Sequence, residues 1–198
     1  MTPFKIPDEE IGYVFKIVII GAPGVGKTCL FNRFCFNSFN MNTEMTIGIN
    51  FHSTYLRIKF NEGTNRETYV ANSIFDFGGQ DRFKSLIPRF IEGASGALIL
   101  FDSGGFSSFQ QLDFWYNNLT ENVDDSIPII LIGTKSDLLD RIAEAEIVSQ
   151  GLIDDYLKER QLDAFYRTSA LENYNVLEAF KELTYKMLEK RNVNASVL

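Results

Sequence analysis

The residues with the clearest chemical purpose form one run, Gly21-Ala22-Pro23-Gly24-Val25-Gly26-Lys27-Thr28, set directly after the apolar stretch Val14-Phe15-Lys16-Ile17-Val18-Ile19-Ile20. Its spacing, G-x-x-x-x-G-K-[ST] between a strand and a helix start, is that of a phosphate-binding loop. The glycines let the backbone curl round a di- or triphosphate, so that several N–H groups and the first turn of the next helix face the anion. Lys27 adds a cation and Thr28 a hydroxyl for magnesium. Placement between a strand and a helix argues against an ordinary glycine-rich turn.

Such a loop needs a sheet to hold it. Residues 13–20 read as a buried strand and 27–36 as the first helix, while 37–45 turn polar and Asn-rich, as loops do. The runs Ile49–Phe60 and Glu67–Phe77 flank a Gly/Asn turn at 61–65 and predict a hairpin. Phe83, Leu86, Ile87 and Phe90 suggest a short helix. Residues 97–101 and 127–132 are continuous apolar runs, the mark of strands buried on both faces, and 164–168 make a last strand. Helical stripes fall at Phe109, Leu112, Tyr116 and Leu119, at Val148, Leu152 and Tyr156, and at Val176, Phe180, Leu183 and Met187. The alternation predicts an α/β P-loop NTPase fold: a six-stranded, mostly parallel sheet, one antiparallel strand from the hairpin, and helices on both faces. Ligands in such sheets bind at the carboxyl ends of the strands.

The chain has 198 residues, enough for one domain with a sizeable core. We expect a lead-in at 1–12, the domain at 13–191 and a tail at 192–198. A formal charge of -7, with Lys and Arg scattered, argues against nucleic acid and anionic membrane as partners. No run reaches the roughly eighteen apolar residues of a spanning helix, and the start has no apolar signal region. These features predict a cytoplasmic protein. Cys29 and Cys35 fall about 9 Å apart along one helix, too far to pair, and fit packed thiols in a reducing compartment. Neither a C-terminal prenylation cysteine nor a glycine at position 2 is present, so no covalent membrane anchor is evident: either the natural C-terminus is longer than this chain or the protein acts without one.

Other polar stretches sit where strands end: Thr46-Ile47-Gly48, Asp76-Phe77-Gly78-Gly79-Gln80, Thr134-Lys135-Ser136-Asp137 and Ser169-Ala170-Leu171. With the phosphate loop, their order and spacing resemble the Ras-like small GTPases over roughly residues 13–190, and Thr46-Ile47-Gly48-Ile49-Asn50-Phe51 is most similar to the Rab branch. The resemblance implies a GTP-driven switch. On it, Gly21 to Gly26, Pro23 and Val25 included, cradle the phosphates, with Cys29 at the helix start. Lys27 bridges the β- and γ-phosphates, Thr28 and Thr46 ligate Mg²⁺, and Asp76 holds the ion through a water. The N–H of Gly79 touches the γ-phosphate, Gln80 orients the attacking water, and Phe39 packs edge-on against guanine. Lys135 lays its stem along the base, and the N–H of Ala170, between Ser169 and Leu171, meets guanine O6.

Elementary chemistry supports these roles. Phosphoryl transfer asks mainly for positioning and charge neutralisation, which Lys27, Mg²⁺ and N–H donors supply. Asp76 is the hard oxygen that magnesium prefers. The Asp137 carboxylate can accept from guanine N1–H and the 2-amino group, donors that adenine lacks there.

Departures from the family pattern are equally specific. Thr134 stands where Asn is usual and is expected to forgo one side-chain contact. Leu171 replaces Lys, and Phe77-Gly78 replaces Thr-Ala. Pro23 has no N–H for the phosphates and crowds the place where a partner's arginine would enter. With no Arg at an obvious cis position, intrinsic hydrolysis is expected to be slow. Phe51, Phe75 and Phe90 match an aromatic triad that Rab partners read, though all three suit a core equally. His52 reads as structural or exposed, and the acidic run 121–125 as a solvated loop.

The implied protein is a monomer whose segments 37–47 and 78–88 are ordered by GTP and read by effector, exchange-factor and GTPase-activating proteins, with any membrane contact peripheral and through partners. Two other readings stand beside it: a nucleotide-bound interaction module with little hydrolysis, and a P-loop kinase for a small metabolite. The kinase would need an arginine-lined lid, and the sequence offers no Arg cluster.

Overall fold

A computed structural model describes residues 6–41, 46, 48–61, 66–78, 87–123 and 126–198. Expectations that rest on Ile47, Gly79, Gln80, Phe83, Leu86, most of the 61–65 turn or residues 124–125 therefore fall outside the described residues.

The strands are β1 (Ile11–Gly21), β2 (Ile49–Phe60), β3 (Glu67–Phe77), β4 (Gly96–Asp102), β5 (Ile129–Thr134), β6 (Ala164–Arg167) and β7 (Ala195–Val197). They form one sheet in the order β6-β5-β4-β1-β3-β2-β7. The sheet has seven strands, not six, because residues expected as tail pair with β2 as β7. The pairings β1 with β3, β1 with β4, β4 with β5 and β5 with β6 are parallel, whereas β2 is antiparallel to both β3 and β7. The single reversed strand is thus β2, as the hairpin predicted.

Alternation along β1 and β4 divides the core in two. Phe15, Ile17, Ile19, Leu98 and Leu100 point to one face, against Leu30 and Phe31 of α1 (Lys27–Phe36) and against Phe180, Leu183 and Met187 of the last helix (Val176–Lys190). Val18, Ile20, Ala97, Ile99 and Phe101 point to the other. There they meet α2 (Ile87–Ile91), then α3 (Phe106–Gln110) and α4 (Leu112–Thr120), and finally α5 (Gln150–Arg160). The closing helix is α6.

One helical stripe comes out differently. Ser149 caps α5 by accepting the Leu152 N–H, and the helix packs with Ile153 inward at 1% exposure and Leu152 outside at 44%. The helix expected from Phe109 to Leu119 is broken at Gln111 into α3 and α4.

Strand β7 takes its place through pairings and side chains together. Ile58 faces Val197 and Phe60 faces Ala195, and the Leu198 N–H donates to the Arg57 carbonyl at 2.9 Å. Asn61 donates to the Asn194 side chain at 2.7 Å and accepts from Ser196 at 2.7 Å. Among the described residues no helix is long and apolar enough to cross a membrane. Neither cysteine is in a disulfide, and burial pushes the Cys35 thiol up to about 12.

Gly21 ends β1 with φ at +147°, and a Cβ there would lie 2.4 Å from the Leu100 carbonyl oxygen on β4. Both the backbone angle and the contact demand glycine. Gly21→Ala is expected to lower stability by about 3 kcal/mol, read from the urea midpoint. A loss below about 1 kcal/mol would show that β1 and β4 can move apart at no cost.

Candidate nucleotide site

The loop after β1, the carboxyl ends of β3 and β5 and the loop after β6 open onto one cavity of about 540 Å³. It suits a nucleotide in size. Of the expected site residues Pro23, Gly24, Gly26, Lys27, Thr28, Cys29, Phe39, Thr46, Thr134, Lys135, Asp137, Ala170 and Leu171 line it, whereas Gly21, Val25, Asp76 and Ser169 do not. Met41, Phe77, Leu138, Arg141 and Thr168 line it as well and were missed; their mixed character carries no motif.

At one end the loop between β1 and α1 curls as expected. Gly26 takes φ +93° and starts α1 at Lys27. Lys27 is only 6% exposed, and its ammonium donates to the carbonyls of Gly21 at 2.7 Å and Ala22 at 2.8 Å. Burial draws its pKa down to about 8, against the pull of the Asp76 charge.

Beside it the Thr28 and Thr46 hydroxyls are 2.6 Å apart, and Thr28 donates to Asp76 Oδ2 at 2.7 Å. Asn50 of β2 donates to the same oxygen at 3.0 Å. Burial raises the Asp76 carboxyl above the usual range; the Thr28 and Asn50 hydrogen bonds and the Lys27 charge oppose it. Asp76 Oδ1 is buried with no hydrogen-bond partner among the described residues. An orphaned carboxylate oxygen flanked by two hydroxyls is a set of hard donors that fits Mg²⁺. No three His, Cys, Asp or Glu side chains gather among the described residues. A cation here would rest on one carboxylate, hydroxyls and ligand oxygens, as magnesium commonly does.

At the other end Asp137 accepts from the Ser169 hydroxyl at 2.6 Å. Lys135, held at φ +58°, pairs its ammonium with Asp102 Oδ2 at 2.7 Å. Asp102 at the end of β4 was missed, since a lone carboxylate after an apolar strand carries no spacing signal. The Thr134 hydroxyl lies 2.5 Å from the Val25 carbonyl and 3.0 Å from that of Phe101, so it ties the phosphate loop to β4 and β5.

Gly78 N–H donates to the Gly48 carbonyl at 3.1 Å, joining the roots of the two candidate switch segments. Phe51 is 56% exposed and packs its ring, tilted by 48°, 4.9 Å from that of Phe75, which leads through Phe77 to Phe90. The predicted triad is therefore a row of four, open at Phe51 and half-buried at Phe75 and Phe90. His52 packs its ring 4.6 Å from that of Phe36, a structural role.

A mostly parallel sheet with a phosphate loop after β1, a Thr-Thr-Asp cluster beside it and an acidic loop after β5 defines a P-loop nucleotide-binding protein. The model of the Ras family matches residues 16–189. The chain is 35% identical to Ras-related protein RABA2a of Arabidopsis thaliana, over 96% of this chain and 83% of the relative. It is likewise 35% identical to Ras-related protein Rab11D of Lotus japonicus, over 95% and 82%, and 34% identical to Ras-related protein rab-11.1 of Caenorhabditis elegans, over 94% and 84%. The chain belongs to the Ras family, on its Rab-like side, and is a GTP-binding switch that hydrolyses GTP to GDP and phosphate.

Proposed function

We propose that guanine sits over Asp137 and the diphosphate in the Gly21–Gly26 loop, with Lys27 on the β- and γ-phosphates and Mg²⁺ held by Thr28, Thr46 and, through water, Asp76. The observation that carries this reading is the arrangement along a single cavity: an ammonium held by loop carbonyls at one end and a hydroxyl-anchored carboxylate at the other. Bound there, Mg²⁺ would neutralise charge on the transferring phosphoryl group. Phosphates would take Lys27 from the carbonyls of Gly21 and Ala22. Thr134 would keep the loop in register with the base site. Phe39 and Leu171 would flank the base, and the Ala170 N–H would meet O6.

Gln80 would orient the attacking water and the Gly79 N–H would face the γ-phosphate. Pro23 supplies no N–H and stands exposed at the mouth of the loop, which supports a slow intrinsic rate. The switch segments 37–47 and 78–88 would be read by effectors in the GTP state, and exchange and activating proteins would drive the cycle. We read one domain whose sheet runs from β1 to β7 and so takes in both the end of the expected lead-in and the expected tail, monomeric and cytoplasmic, with any membrane contact peripheral.

Single-turnover GTP hydrolysis tests it. Gln80→Leu is expected to slow phosphate release about 10²-fold with GTP affinity kept, since mispositioned water costs rate and not binding. EDTA should abolish release from both forms. Equal rates for Gln80→Leu and the unaltered chain would remove Gln80 from the mechanism.

A further inference from the structure

Arg33, in the last turn of α1, reaches out of its own helix. Its Nε donates to the Ala170 carbonyl at 2.6 Å, across 137 positions of sequence, and Nη2 donates to the Leu171 carbonyl at 3.2 Å. Nη1 donates to the carbonyl of Asn37 at 3.2 Å and to its side-chain oxygen at 3.0 Å. Helix stability does not call for this, because the Asn37 N–H already closes α1 on the Arg33 carbonyl at 3.0 Å.

The contacts fix the loop that carries Ala170. Ser169 and Tyr174 exchange backbone bonds at 3.1 and 2.9 Å, so the Ser169 carbonyl is turned toward Tyr174. In a trans peptide the following N–H points the opposite way, which directs the Ala170 N–H to the other side, that of the cavity Ala170 lines. The next peptide carries the Ala170 carbonyl, and Arg33 pins it. Both peptide planes about Ala170 are held, one by a backbone bridge and one by a guanidinium.

We propose that Arg33 is a positioning residue for base recognition: its guanidinium holds the Ala170–Leu171 peptides so that the Ala170 N–H is aimed at the 6-keto oxygen of guanine, and ties that loop to Asn37 at the root of the first switch segment. This rests on the guanine reading above. A planar fork with fixed donors suits three carbonyls in different directions, and a lysine ammonium on a flexible stem does not.

The test is displacement of a fluorescent GDP analogue by GDP and by 6-thioguanosine diphosphate, whose sulfur is a poor acceptor at that one position. The unaltered chain should prefer GDP. Arg33→Ala should weaken GDP about tenfold, as loss of charge-assisted bonds does, and weaken the thio analogue far less, so the preference collapses toward one. Arg33→Lys should show the same collapse and carries the test if Arg33→Ala does not fold. Equal weakening of both nucleotides, with the preference intact, would make Arg33 a structural residue and overturn the proposal. Failure of the unaltered chain to bind either guanine nucleotide would overturn the guanine reading itself, and the positioning role with it.

Discussion

Asp137→Asn is expected to weaken GDP binding about 10³-fold and to make xanthosine diphosphate the better ligand, as measured by competition against a fluorescent nucleotide. Guanine presents N1–H and the 2-amino group, both donors. The carboxylate offers only acceptors, and the Ser169 hydroxyl occupies one lone pair at 2.6 Å while holding the group in place. Asparagine has one oxygen and one NH₂, so a donor would face a donor. Xanthine carries an oxygen in place of that amine and restores the pairing. A variant that still prefers GDP would show that the base is not read at Asp137.

The second large effect belongs to the phosphate end. Lys27→Ala is expected to raise the Kd for both GDP and GTP about 10³-fold without altering base preference. Its ammonium is buried and held by two carbonyls at 2.7 and 2.8 Å, so it is already placed before any anion arrives. Each charge-assisted bond to a phosphate contributes about 1.5–3 kcal/mol, and two such bonds exceed the roughly 4 kcal/mol that a 10³-fold loss represents at their midpoint. A change below tenfold would place the phosphates elsewhere in the cavity.

Much of the fold was legible because the buried strands and the amphipathic helices each obey a single rule. The bounds of α1, β2 and β3 follow directly from glycine, turn and apolar signals. Leu152 and Ile153 were not separable from sequence: adjacent apolar residues share a helix, and only its packing on the sheet decides which one faces the core. The break at Gln111 carries no Pro or Gly within that stretch. Strand β7 is three residues long, too short for periodicity, and forms because the outer edge of β2 offers unpaired backbone groups to it.

The phosphate loop, Asp76 and Asp137 were legible because their chemistry acts through side chains of fixed type at fixed spacing. Arg33, Asn50 and Asp102 were not. Arg33 works on backbone carbonyls, Asn50 on the carboxylate of Asp76, and Asp102 on the Lys135 ammonium, so each depends on a neighbour that only the fold supplies. The Thr134 hydroxyl is a link of the same kind, reaching the Val25 carbonyl because β5 ends within one hydrogen bond of the phosphate loop.

The most direct test of the switch is nucleotide identity and turnover together. Nucleotide extracted from the purified protein should be GDP, and after loading with Mg²⁺ the protein should release phosphate slowly from GTP and not from ATP. Bound adenine nucleotide, or phosphate release from ATP at the same rate as from GTP, would contradict the assignment of base recognition and of the cycle built on it.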